Sequence, residues 1–285
     1  MTRADDNLIA RPGGLWTQEK LTYLKKYAAA FMTAMRRKPQ WKSLEFIDLL
    51  CGPGIDIIEG KEVPGSPLIA LQTQPQFDHV YLGDRRARNV DALRRRIPAS
   101  DLSRVELLVG DCHTHARTIV DRLPQWGTLA LAFVDPEGFE VRFELLRTFA
   151  ERSIDILFLF PSGIGVTRNA GAEARQVDSN IDQLWGTQDW RELRVAKQLA
   201  GELWSSADAS RLDALDQSFV KAFCGRVATL GYVHYASSPP LRNQRNVPMY
   251  HLLFFSKHEA GLKIWHGISK IEPGGQRRLG LFDEM

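Results

Sequence analysis

Apolar positions along the chain follow two spacings. Residues 44–50, 80–83, 105–109, 129–134 and 154–160 are near-continuous apolar runs of strand length, and each soon gives way to a glycine, aspartate or proline. Between them, residues 67–73, 87–97, 115–123 and 143–150 read as helices. Strand and helix alternate, which predicts an α/β fold. Strands with so little polar alternation belong where helices cover both faces, so the sheet is predicted to be mostly parallel.

Upstream, residues 1–14 read as a mobile leader ending in Pro12-Gly13-Gly14, and Thr17 offers a helix N-cap. Residues 19–37 follow as an amphipathic helix. Its Leu21, Leu24, Tyr27, Ala28, Phe31 and Met35 share one face, and Pro39 ends it. Downstream, helices are predicted at 181–185, 190–204 and 212–230, then strands at 232–236 and 249–256 and a closing helix at 260–268. A late antiparallel strand ending a parallel sheet fits this order. The expected division is a leader and helix packed on the core (1–40) and a single domain (41–285) holding a helical insertion (171–231).

Composition narrows the class. Apolar residues make up 44% and charged residues 25% of the 285, with a net charge of +3. That excludes a histone-like basic protein and an acidic disordered one. Cys51, Cys112 and Cys224 are scattered with no CxxC, so no cysteine metal site is expected and the thiols suit a reducing cytoplasm. No apolar run reaches the roughly 18 residues of a membrane span, and the first residues lack a signal-peptide core. A soluble cytoplasmic protein is the expectation.

The predicted strands end in acids: Asp48, Asp84, Asp111 and Asp135. Ligands of open parallel sheets bind beyond the carboxyl ends of the strands, so these carboxylates should face one edge. Phe46-Ile47-Asp48-Leu49-Leu50-Cys51-Gly52-Pro53-Gly54 places a glycine turn after the first of them. It is neither a dinucleotide fingerprint nor a Walker A loop. It resembles motif I of class I S-adenosylmethionine-dependent methyltransferases. That resemblance implies that Asp48, Cys51, Gly52 and Gly54 shape one end of a cofactor pocket. It also implies that Asp84 and Arg85 serve the ribose, and Asp111 and Cys112 the adenine. Asp84 reads equally as the cap of the next helix. Asp135-Pro136-Glu137-Gly138-Phe139 stands where amino-methyltransferases carry Asp-Pro-Pro-Tyr. Asp135 and Glu137 are the catalytic candidates, as bases or as groups that orient a nucleophile. Asp135 would also border the cofactor, and Phe139 would stack on the acceptor. A plain β-turn is the alternative there.

A narrower resemblance spans about residues 16–268. Trp16-Thr17-Gln18-Glu19-Lys20-Leu21, the Asp48–Gly54 block, Gly65-Ser66-Pro67-Leu68, Phe133-Val134-Asp135-Pro136-Glu137-Gly138, Phe160-Pro161-Ser162-Gly163-Ile164-Gly165 and Met249-Tyr250-His251-Leu252 appear in order. Together they resemble the three-Cys-motif partner proteins. The resemblance implies a Rossmann-like class I methyltransferase sheet, S-adenosylmethionine as cofactor, and functional pairing with a three-Cys-motif protein. It further implies a two-protein modification system with nucleic acid as its target.

Arginine is unevenly spread. Arg85, Arg86, Arg88, Arg94, Arg95, Arg96 and Arg104 crowd one segment, and Arg242, Arg245, Arg277 and Arg278 lie late. Such local excess suits phosphate binding, or marks a solvated helix face. Arg168, Asn169, Arg242 and Arg245 are the candidates to position a phosphate backbone. Tyr250, Trp185 and Trp190 read as base-stacking groups or as buried core. Three functions stay open at this point: a methyltransferase, a non-catalytic subunit that binds cofactor or nucleic acid, and a nuclease holding a divalent metal on Asp48, Asp135 and Glu137.

Overall fold

The computed structural model describes residues 2–163, 168–196 and 209–269. The side chains of residues 168, 171 and 209–213, together with Trp204, Ile164, Gly165, Arg277 and Arg278, lie outside that description.

Alternate residues of the central strands enter two different cores. Strand β7 (Thr128–Val134) sends Ala130, Ala132 and Val134 to one face and Leu129, Leu131 and Phe133 to the other. Strand β8 (Ile154–Phe160) does the same with Ile156, Phe158 and Phe160 against Leu157 and Leu159. Both faces are dry, which is why these strands read as unbroken apolar runs. β2 (Ser43–Asp48), β5 (His79–Asp84) and β6 (Val105–Val109) complete the parallel part, in the spatial order β8-β7-β2-β5-β6. β11 (Pro248–Ser256) joins β8 antiparallel, and β9 (His234–Ser237) and β10 (Leu241–Arg242) pair with β11.

Helices α1 (Leu15–Met35), α2 (Ser66–Gln72) and α3 (Ala87–Arg96) contribute to one core. α4 (Cys112–Arg122) and α5 (Phe143–Phe149) contribute to the other. α6 (Arg168–Glu173), α7 (Asn180–Trp185), a 3-10 turn at Asp189–Glu192 and α8 (Ala209–Ala228) follow β8, and α9 (Glu259–Ser269) closes the chain. Trp185 and Trp190 are buried in the second core, so they are packing groups and not base-stacking ones. Tyr250 is likewise buried, its ring 4.8 Å from that of Trp16.

The leader is where expectation and structure part. β1 (Arg11–Gly13) pairs in parallel with β3 (Ile55–Ile58), which turns back into β4 (Lys61–Pro64). Arg96 fastens the leader further, with Nε 2.8 Å from Asp6 and Nη1 2.9 Å from the Ile9 carbonyl. The strand therefore runs almost directly into the helix. α1 starts at Leu15 with Gly14 as its N-cap, and Thr17 is buried inside the first turn instead of capping it. A capping residue also moved the start of α4. Asp111 accepts the N–H groups of His113 and Thr114, so that helix begins at Cys112 and not near residue 115.

Polar contacts are buried within these cores as well. The Ser162 hydroxyl donates to Asp216 (3.0 Å) and lies 2.8 Å from His251 Nδ1, tying α8 and β11 to the end of β8. Asp155, at the start of β8, accepts the Tyr27 hydroxyl at 3.4 Å. Burial pushes its carboxyl from 3.8 up to about 7, against the hydrogen bonds of Ser256 and Tyr27. The folded chain thus holds a proton that the unfolded chain has released between those two values. This contribution to stability is fully present below about pH 4 and is lost as pH rises through 7. In thermal melts across pH 4–7, Asp155→Asn should flatten part of the decline seen in the wild type, by on the order of 2–4 kcal/mol in total. Unchanged pH dependence would exclude the group as its source.

Candidate functional site

The strand order reverses at β2. The chain moves outward to β5 and β6 on one side, then returns to build β7 and β8 on the other. Loops that leave neighbouring strands in opposite directions open a crevice at such a switch point. A cleft of about 590 Å³ lies there. Its walls come from the turn after β2 (Gly52), the end of β5 (Asp84, Arg85, Arg86), the β6–α4 corner (Asp111, Cys112) and the segment after β7 (Asp135, Glu137, Phe139).

Local sequence explains each wall. Gly52 and Gly54 have φ of +63° and +94°, so the turn after β2 needs glycine. A Cβ on Gly54 would meet Leu93 of α3 at 2.9 Å, so the turn also packs tightly on its neighbour. Asp84 holds this corner together. Its carboxylate accepts the Gly52 N–H (3.1 Å), the Arg86 N–H (2.7 Å) and the Asn89 amide (3.0 Å). Beyond β7, Glu140 accepts the N–H groups of Glu137 and Gly138, each at 2.7 Å, and so shapes the loop that carries Phe139 into the cleft. His113 Nε2 accepts the Arg142 N–H at 3.0 Å and ties that loop to α4.

The floor is a buried charge cluster. Asp135 is 3% exposed, with Lys20 Nζ 2.5 Å and Arg11 Nη1 3.1 Å from its Oδ2. Burial alone would raise this carboxyl. The charges of Lys20 and Arg11 outweigh it and hold the group below the usual carboxylate range. Burial in turn lowers the Lys20 ammonium, against the pull of Asp135. Asp135 Oδ1 is buried and has no hydrogen-bond partner among the described residues. An orphaned acceptor at the wall of a cleft is a place for a donor from outside.

The cleft thus unites Gly52, Asp84, Arg85, Asp111, Cys112, Asp135, Glu137 and Phe139. Asp48, Cys51 and Gly54 stand behind its wall. Asp48 is fully buried, and burial pushes its carboxyl up to about 7 against the Ser66 and Leu50 hydrogen bonds. Cys51 is buried, and its thiol is pushed far up by the same cause. Asn169, Arg242 and Arg245 do not line the cleft; Arg242 donates to the Asn246 carbonyl of its own hairpin at 2.8 Å. Arg168 opens α6, and its side chain is not described.

The metal-nuclease reading is corrected here. Its ligands would be Asp48, Asp135 and Glu137, yet Asp135 is already neutralised by two cations and Glu137 faces Arg11 and Arg86. A divalent ion placed among them would meet repulsion before it met a free carboxylate. Among the described residues, the group with metal-ligand spacing is Asp111-Cys112-His113. There Asp111 is spent as a helix cap, and burial and Asp111 push the Cys112 thiol up to about 12.

Sequence reasoning missed Arg11, Lys20, Arg142 and Gln183, the last reaching the cleft from α7. Lys20 left a trace. It shares the apolar face of α1 with Leu24, Tyr27 and Phe31, where a lysine is out of place unless paired.

Comparison with known proteins places the fold. The chain is similar to the Legionella pneumophila protein LPL1258, at 11% identity with a TM-score of 0.50, over 85% of this chain and 88% of that one. The shared architecture is a mostly parallel central sheet with helices on both faces and antiparallel strands at one edge. The N-terminal domain of EvdMO1 with S-adenosylhomocysteine bound is also similar, at 15% identity with a TM-score of 0.41, over 82% of this chain and 80% of that one. No family model matches the chain, and no curated protein matches it. Among the described residues no helix is long and apolar enough to cross a membrane.

Removing Lys20 leaves the buried Asp135 carboxylate with Arg11 as its remaining cation. Lys20→Met should cost about 3–5 kcal/mol in urea denaturation. The double variant Lys20→Met/Asp135→Leu should recover only part of that loss, because Arg11 then keeps Glu137 alone as its ion-pair partner. A single variant as stable as the wild type would mean that the pair does not carry the floor of the cleft.

Proposed function

We propose that the chain is an S-adenosylmethionine-dependent methyltransferase that modifies nucleic acid, paired with a three-Cys-motif protein in a two-protein system. The observation that carries the reading is the cleft itself, at the switch point of a class I methyltransferase sheet with Asp84 and Asp111 on successive strand ends. The nucleic-acid target and the paired protein rest on the motif resemblance alone. When bound, S-adenosylmethionine supplies a methyl group on a sulfonium centre.

The residues divide the labour as follows. The Gly52 turn leaves room for close backbone approach, and Asp84 keeps acceptor capacity beyond its internal bonds for a ribose hydroxyl. The Asp111–Cys112 corner borders the adenine. Asp135 Oδ1 accepts a hydrogen from the incoming nucleophile and orients it, while Lys20 and Arg11 keep that carboxylate charged. Catalysis of this kind is mostly positioning.

A specific observation also favours the second reading, a non-catalytic binding subunit: Asp135 and Glu137 both sit in ion pairs. Asp135→Asn separates the two. If modification in the cell survives it but is lost in Asp84→Ala, binding suffices and the chain transfers no methyl group.

Titration calorimetry tests the leading reading. S-adenosylmethionine and S-adenosylhomocysteine should both bind, and Asp84→Ala should weaken each about tenfold or more, the worth of a charge-assisted hydrogen bond. Absence of heat for either ligand at millimolar concentration would overturn it.

A further inference from the structure

Beside the cleft lies a second cavity of about 250 Å³, and the two share Arg11, Arg86 and Glu137. Glu137 stands between them, its carboxylate 3.2 Å from Arg86 Nη2 and 3.7 Å from Arg11 Nε. Arg88 and Asn89 line the far side. The walls therefore present the guanidiniums of Arg11, Arg86 and Arg88 against one carboxylate.

The structure sorts the arginine-rich segment into two uses. Arg96 spends its guanidinium on Asp6 and on the Ile9 and Pro53 carbonyls. Arg104 spends its own on Asp101 and on the Leu71 and Phe77 carbonyls. Both are structural. Arg88 is exposed and makes no ion pair or hydrogen bond among the described residues. It stands in the first turn of α3, a ten-residue helix whose N-cap residue Arg86 makes no side-chain cap bond, while Asp84 accepts the Arg86 N–H just before it. Helix dipole, unspent guanidinium and cavity coincide at this one place, and that combination favours phosphate.

We propose that this second cavity is an anion subsite that takes a phosphate group of a nucleic-acid acceptor, beside the nucleotide whose reacting atom lies in the cleft. The inference rests on the methyltransferase reading and relocates the phosphate contacts from Arg242 and Arg245 to Arg86 and Arg88. Glu137 is the internal anion that the phosphate displaces from Arg86 and Arg11. Its role is competition with the acceptor, and no proton transfer is asked of it.

The test uses the full-length protein, a short fluorescein-labelled single-stranded RNA and its DNA counterpart, read by anisotropy over a range of salt. Arg88→Gln should weaken binding about tenfold and lower the salt slope by about one. Glu137→Gln should tighten it about threefold, since Arg86 then loses its internal partner while Arg11 stays on Asp135. A merely structural role would not move the two variants in opposite directions. Melting temperatures check that both remain folded, and S-adenosylhomocysteine should bind Arg88→Gln as it binds the wild type. The proposal is overturned if S-adenosylhomocysteine binds but both variants keep wild-type affinity and slope. It is equally overturned if the wild type binds neither polymer at low salt, or if polyglutamate displaces the RNA as well as unlabelled RNA does. Opposite shifts in the variants without any S-adenosylhomocysteine binding would support the subsite and sink the methyltransferase reading instead.

Discussion

The buried contact of Lys20 and Arg11 with Asp135 is the constraint around which the site is built. A carboxylate at the end of a central strand is forced out of water by the helices on both faces of the sheet. It stays charged only because α1 and β1 bring cations to it. Desolvating these groups costs several kcal/mol each before their attraction offsets it. The arrangement is therefore weak evidence for stability and stronger evidence for a placed charge. With Oδ2 committed to the cations and Oδ1 without a partner, the carboxylate has one direction left in which to act.

The sheet supplies the rest by geometry. Parallel strands all end at the same edge, so acids at their carboxyl ends converge without any sequence proximity. Asp84 and Asp111 illustrate how such residues carry two duties. Each satisfies nearby N–H groups and closes a corner, and each remains at the wall of the cleft. For Asp84, a place at the start of the next helix does not count against a place at the cleft wall.

The central fold was legible because both faces of β7 and β8 are dry, which writes an apolar run into the sequence. The acids at the strand ends were legible because they interrupt those runs. The small three-stranded sheet was not read, since its strands are short and partly exposed and β1 pairs with β3 across more than forty residues. One clue was available. Gly60 stands between Ile57-Ile58 and Val63, and in the structure Glu59 and Gly60 take the positive φ of a two-residue hairpin turn. Missing that hairpin meant missing the partner of β1, and with it Arg11. Arg242 and Arg245 lie outside the cleft, because a cluster of charges in the sequence says nothing of which way its hairpin faces.

The pairing of β1 with β3 also bears on the charge of the finished site. Arg11 and Lys20 reach Asp135 across 124 and 115 residues of chain. Contacts of such separation carry a loop-closure cost that local contacts do not. Without these two cations the crevice would set Asp84, Asp111, Asp135, Glu137 and Glu140 against Arg85, Arg86 and Arg142. The amino-terminal segment thus brings the charge of the site into balance.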